Sequence, residues 1–220
     1  MARTPVNGSV IAIAATFGAT KSMSAITNAA SAVATFEAAH GVIVTDIVQI
    51  ITSGWTLLEG RVARASAVAT NDITLESLNT LNTTRYPAGT GAGTVREVST
   101  WTNVGQILGD SLASSGGEQQ FASFQYLDQD VAIEEPTQVS AGRFEFQIDD
   151  DLSAAGQVLL RSLSESQAVT PFKITHRTGA VRYGAGIIAL GIVPILASNQ
   201  NVRRAVSISL RPANMTEYAS

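Results

Sequence analysis

Polar and apolar residues alternate along Arg143-Phe144-Glu145-Phe146-Gln147-Ile148-Asp149, so Phe144, Phe146 and Ile148 share one face and Arg143, Glu145, Gln147 and Asp149 share the other. The pattern predicts a strand with one face in a core and one in water. The last long strand repeats it: Val202, Val206, Ile208 and Leu210 fall on one side and Arg203, Ser207, Ser209 and Arg211 on the other, with Arg204 interrupting the apolar row. Gly184 to Ala197 is apolar throughout and reads as a buried strand ending at Pro194. Between these strands the period changes. From about Ser153 to Gln167, Leu152, Ala155, Leu159 and Leu163 recur at spacings of three and four, predicting one helix whose stripe packs on a sheet. Asp149, Asp150 and Asp151 precede it, and Asp151 or Ser153 is placed to cap its first turn. Pro171 prevents continuation.

Upstream the runs are shorter: Ala32 to Ala38, Val42 to Thr52, Arg61 to Val68 and Ile73 to Leu78, separated by turn signals at Thr27-Asn28, His40-Gly41, Ser53-Gly54 and Asn71-Asp72. The Gly/Pro-rich stretch Thr83 to Thr94 reads as an exposed connector. The expected organisation is an N-terminal arm and first strand over 1–21, a small inserted β domain with its connector over 22–93, and a larger domain over 94–220. The fold class is mainly β, an antiparallel sandwich or barrel with one packed α-helix plus a small all-β module.

Composition sharpens this picture. The chain has 220 residues, 45% hydrophobic and only 15% charged, with no cysteine and a formal charge of −4. Disulfides and thiolate chemistry are thereby excluded, and a net negative charge argues against a generic phosphate-neutralising surface. Charged residues usually make up about 25% of a globular chain, so a surface this poor in charge is expected to be partly covered by further copies of itself. Met1 to Ala19 superficially resembles a signal peptide, but the apolar stretch is short and follows Asn7-Gly8-Ser9, which favours a strand led in by a flexible arm. No segment reads as a membrane span.

Catalytic and ligand chemistry finds little footing. His40 and His176 lie on separate modules without convergent ligands, and no Gly-x-Ser-x-Gly elbow occurs. Gly184-Ala185-Gly186-Ile187-Ile188-Ala189 matches dinucleotide-loop spacing, but an apolar strand follows it where a helix N-terminus is required. Glu134-Glu135 and Asp149 to Asp151 read as solvated or helix-dipole carboxylates, since a general acid needs burial. Arg203-Arg204 is the only adjacent basic pair, which disfavours tight DNA binding. No enzyme, metal site or cofactor is expected.

Taken in succession, several stretches resemble the major tail tube proteins of long non-contractile-tailed bacteriophages, in the subgroup with a small β insertion. They are Thr4-Pro5-Val6-Asn7-Gly8-Ser9-Val10-Ile11-Ala12, Ile26 to Ala29 with Ala38 to Gly41, Thr52 to Trp55, Leu58 to Arg64, Asp72 to Glu76 and Tyr86 to Gly91. Trp101, Gly116 to Phe121, Tyr126-Leu127-Asp128 with Pro136-Thr137, and Thr170-Pro171-Phe172 after the helix continue the series. The resemblance implies a virion protein, assembled in the bacterial host cytoplasm, that forms usually hexameric rings stacked into a tube on a tape-measure protein. Tail-terminator or tail-tip proteins would close the tube, and double-stranded DNA would pass in transit without tight binding. The alternative is a tail-end adaptor or adhesin-like β module that caps a tube without polymerising. Within this frame Glu145, Gln147 and Asp149 are candidate lumen-lining residues, the alternative being that their face is the outer surface of the tube. Ser111, Ser114, Ser115, Gly116, Gly117, Glu118, Gln119 and Gln120 are candidate inter-ring contacts, joined by Arg3, Thr4, Pro5 and Val6 of the arm.

Overall fold

A computed structural model describes residues 6–211 and 215–219, so the arm residues Arg3, Thr4 and Pro5 lie outside the described residues. The chain forms a mainly β structure with one α-helix. Two strand systems share a single long strand, β7 (Gly93–Val104), which at 12 residues runs about 40 Å.

The first system is a closed barrel. Strands β2 (Lys21–Ile26), β3 (Val33–Phe36), β6 (Asp72–Glu76), β5 (Val62–Ala69) and β4 (Ile47–Ser53) pair in that spatial order, β4 pairs with β7, and β2 returns to pair with β7 as well. Closure leaves this module without a free edge. Its interior is continuous and apolar, with Phe36, Met23, Ile50, Leu58, Ile73 and Leu75 almost fully buried. The Thr83 to Thr94 stretch, expected as an exposed connector, is tied to this barrel at several points, among them the Gly54 amide donating to the Ala92 carbonyl (2.8 Å). Trp55 Nε1 donates to the Pro87 carbonyl (2.8 Å) and to Thr90 Oγ1 (2.9 Å), and its ring packs against Tyr86.

The second system carries the helix. Strand β1 (Val10–Phe17) pairs with the C-terminal half of β7, on the side where β2 pairs further up. Thus β1 and β2 form one interrupted strand that accompanies β7 through both systems. Beyond β1 the order continues through β12 (Val169–Thr175), β13 (Val181–Leu190), β14 (Arg203–Leu210), β11 (Arg143–Asp149) and the short β8 (Ala113–Ser115). The segment after β7 then returns to β11, where Leu108 N–H donates to the Gln147 carbonyl and Ile107 bridges Ile148, so the sheet curls on itself. Helix α1 (Ala155–Ser166) packs on β13, β7 and β1 around a core of Ile13, Phe146, Ile148, Leu160, Phe172 and Ile208.

The alternating strand at 143–149 and the helix fall where the hydropathy pattern puts them. Three details differ. Leu152 lies before the helix and is exposed, and the buried helix positions are Gly156, Gln157 and Leu160. Gly156 sits so close to β7 that an added Cβ would lie 2.5 Å from the Asn103 carbonyl oxygen, which lets the helix approach the sheet. Asp151 does not cap the helix: Ala154 is the N-cap, and Asp151 accepts from the Ser153 amide (2.9 Å) and hydroxyl (2.7 Å) just ahead of it. Finally, β13 stops at Leu190, and Ile192, Val193 and Leu196 are strongly exposed in the loop that follows.

Candidate assembly surfaces

Glu145, Gln147 and Asp149 lie on β11 with half-exposed side chains, on the side away from the helix-covered core. Across the register Glu145 faces Ser207, Gln147 faces Ala205 and Asp149 faces Arg203. Arg143 pairs with Glu145 at 3.4 Å. Along β11 and the facing end of β14 the charged groups are Arg143, Glu145, Asp149 and Arg203, two of each sign, and Arg211 lies further along the same side next to the small barrel. Behind the end of this strand, Asp150 binds Arg204 (2.9 Å) and Arg161 (3.4 Å), joining β14 to the helix.

Further along the same side of the sheet, the small barrel covers the surface. Ala14, Ile47, Val62, Val98 and Ala185 form a buried cluster between the two systems. Buried Gln49 donates Nε2 to the Val169 carbonyl (3.2 Å) and accepts from Arg96 Nε (2.9 Å), while the Arg96 guanidinium lies over the Phe17 ring. Burial pulls the Arg96 pKa down. A second tie comes from the chain's end. Strand β15 (Thr216–Tyr218) pairs with β13 and reaches across to β5 and β6. Thr216 Oγ1 donates to the Val62 carbonyl, Tyr218 Oη donates to the Glu76 carbonyl (3.0 Å) and the Arg64 amide donates to Tyr218 Oη (2.8 Å). Burial raises the Tyr218 pKa.

The Ser111 to Gln120 segment divides into three parts. Ser111 closes a short turn and its Oγ accepts from the Gln147 amide (2.8 Å), which makes it part of the fold. Ser114 and Ser115 lie in β8 and are exposed, and Gly116 and Gly117 follow with φ of +74° and +76°, the left-handed conformation that turns the chain away from the body. Glu118 is exposed, and Gln119 and Gln120 open a hairpin of β9 (Gln119–Phe124) and β10 (Ile133–Val139) whose strands pair only with each other. From 113 to 139 every residue except Phe124 is exposed, and Leu127 at the tip is completely so. Residues 113–142 hold Glu118, Asp128, Asp130, Glu134 and Glu135 and no Lys or Arg. With these five set aside, 13 acidic residues remain against 14 basic ones, so the chain's net negative charge resides in this protrusion.

Val6, the arm residue that is described, is 58% exposed and lies beside His176 at the rim of a groove of 590 Å³. Ser9 Oγ and His176 Nδ1 are 3.3 Å apart there. Sequence reading named Phe121, Tyr126 and Leu127 only within stretches of family resemblance and not as exposed contact residues, and it missed Val131, the exposed loop after β13, and the pair Thr216 and Tyr218. Exposed Phe121, Tyr126 and Val131 carry no periodic signal, and the β15 contacts join residues more than 140 positions apart.

Among the described residues no cluster of His, Asp or Glu could hold a metal ion, and no helix is long and apolar enough to cross a membrane. The fold defines the class: a mainly β protein with one packed helix and a two-stranded hairpin projecting from its sheet. The family model of the phage tail tube protein, TTP, matches residues 53–220, and the chain belongs to that family. The match runs from the end of β4 through the helix-bearing sheet to the C-terminus, and so includes parts of both strand systems. No curated protein matches the chain. The protein is accordingly a structural tail tube protein, a component of the virion tail.

Proposed function

We propose that the chain assembles into rings that stack into the tail tube, and that the genome passes through their lumen on its way out of the virion. The role is structural and not catalytic. The observation that carries the reading is the β9–β10 hairpin, a two-stranded sheet projecting from the body with its apolar side chains in water. An isolated hairpin is marginal in water, and contacts with a further copy would stabilise one that bears Phe121, Tyr126 and Leu127. Negative-stain electron microscopy of the purified chain tests it. Stacked annuli are expected, and a population that stays single at high concentration would refute the reading.

In this reading the segment 94–220 with the first strand is the tube unit and 22–93 is an inserted module directed outward. Both Glu145 and the small barrel lie on the side of the sheet away from the helix, but the curl of the sheet turns β8, β11 and β14 in a different direction from β12 and β13. Glu145, Gln147 and Asp149 then line the lumen. A lining with two charged groups of each sign along β11 and the facing end of β14 neither condenses onto phosphates nor repels them, so DNA moves without releasing counterions to the wall. Glu145→Lys with Gln147→Lys is expected to preserve tubes and slow genome delivery, and unchanged delivery would remove these residues from the lumen. The exposed part of Ser114 to Gln120 and the arm Arg3 to Val6 are assigned to contacts between rings. A tape-measure protein and terminator or tail-tip proteins complete the assembly, which takes place in the host cytoplasm.

A further inference from the structure

We infer that the tip of the hairpin in one copy seats in the groove of a second copy, an inference that rests on the tube reading and supplies its contact. The groove lies where the helix-covered core reaches the surface, between β1 and β12 on one side and β8 and β11 on the other. Its apolar wall is formed by Ile11, Ile107, Leu112, Phe144, Ile174 and Met215. All but Ile11 are only partly buried, so this end of the core is open to water. At 590 Å³ the groove falls within the roughly 300–1,000 Å³ range of pockets that bury a small apolar ligand, enough for a few large side chains and not for a whole β ribbon.

The hairpin tip offers such side chains. Leu127 is the most exposed apolar residue in the described chain, with Tyr126 and Val131 beside it. Charge agrees in sign. Asp128 and Asp130 flank the tip, Arg182 stands on the groove wall, and no acidic residue is among the described residues that line it. Arg177 packs beside Gly8 at the same rim, and Arg182 is held by Glu217 at 3.1 Å with its side chain half exposed. A net negative tip entering a groove with a basic rim is favoured over the reverse pairing, and opposite charges at the rim set register and speed encounter. Knob and hole are different surfaces on one chain, so the contact is heterologous and each copy offers one of each.

The test uses the full chain and variants of it. Leu127→Asp with Val131→Asp spoils the tip, and Ser114→Trp, an exposed residue on β8 that lines the groove, plugs the hole. Each variant alone is expected to melt like the wild type by circular dichroism and to need at least about tenfold higher concentration to polymerise. Mixed together they are expected to associate, because the tip variant still offers an intact groove and the plugged variant an intact tip. The mixture stops at two joined units instead of growing. Arg182→Glu weakens assembly, and Asp128→Lys with Asp130→Lys on the same chain restores it. Wild-type chain that never polymerises would sink the tube reading and this contact together. Wild-type tubes accompanied by equally good tip-variant tubes, or a mixture that forms no pairs, would overturn the contact alone. Assembly lost only on deleting Ala2 to Pro5 would place the arm in the groove and also overturn it.

Discussion

Two protrusions leave the same curled sheet, and they are built on opposite principles. The small barrel closes its hydrogen bonds on itself, fills its interior with Phe36, Leu58, Ile73 and Leu75, and is fixed to the sheet by Gln49, Thr216 and Tyr218. The hairpin has two strands, buries no side chain fully, is rooted through Gly116 and Gly117, and concentrates acid. One protrusion stabilises its own chain. The other buries almost nothing against it.

That contrast can be tested by comparing stability with assembly. The largest effect is expected inside the barrel: Phe36→Ala removes a ring that is 2% exposed and should cost about 3–5 kcal/mol in chemical denaturation. A loss below about 1 kcal/mol would mean that the module is less tightly packed than its burial indicates. The clasp comes next. Tyr218→Phe with Thr216→Val leaves the carbonyls of Glu76 and Val62 without their donors, and about 1–3 kcal/mol should be lost. The loss should appear as an earlier melting of the barrel relative to the helix-bearing sheet, and a single unshifted transition would show that the tie is redundant.

Replacing 118–139 with a short Gly-Ser turn belongs at the small end of the scale. Folding stability should change by no more than about 0.5 kcal/mol while polymerisation is lost. A large loss of stability would erase the distinction between the two protrusions. The smallest effect concerns pH. Hydrogen bonds from Ser153 hold the Asp151 carboxyl below its ordinary pKa. A depressed folded-state value means a contribution present above the unfolded pKa and lost as pH falls through the folded one. Asp151→Ala should therefore lower the melting temperature slightly at pH 7 and not at all in strong acid, and a pH-independent difference would point to packing instead of charge.

How much of this the sequence disclosed follows from the distance over which each feature is encoded. Arg143 to Asp149 alternates within seven residues, and the helix between Ala155 and Ser166 carries its own stripe, so both were legible. The stripe was read one position out because Gly156 and Gln157, which are small or polar, take buried places where the helix approaches β7 and where Gln157 donates to Gln106 and to the Asp149 carbonyl. Ile192 to Leu196 looked like an extension of β13, since apolar composition cannot distinguish a buried strand from an exposed loop that awaits a partner. The hairpin was illegible because Gln119-Gln120-Phe121-Ala122-Ser123-Phe124 does not alternate and Pro136 interrupts its partner strand. Closure of the barrel through β2 and β7, and the reach of β15 to β5 and β6, depend on long-range pairings that no local window contains.

The strand β7, shared by both systems and flanked throughout by the chain of β1 and β2, makes the mounting of the barrel covalent. In the proposed tube, drag or impact on that outrigger would be carried into the wall along unbroken backbone, and twist travelling along the wall would turn the outrigger with it. A filament built from such units should be stiff in torsion, and its ornaments should report the winding of the cylinder beneath them.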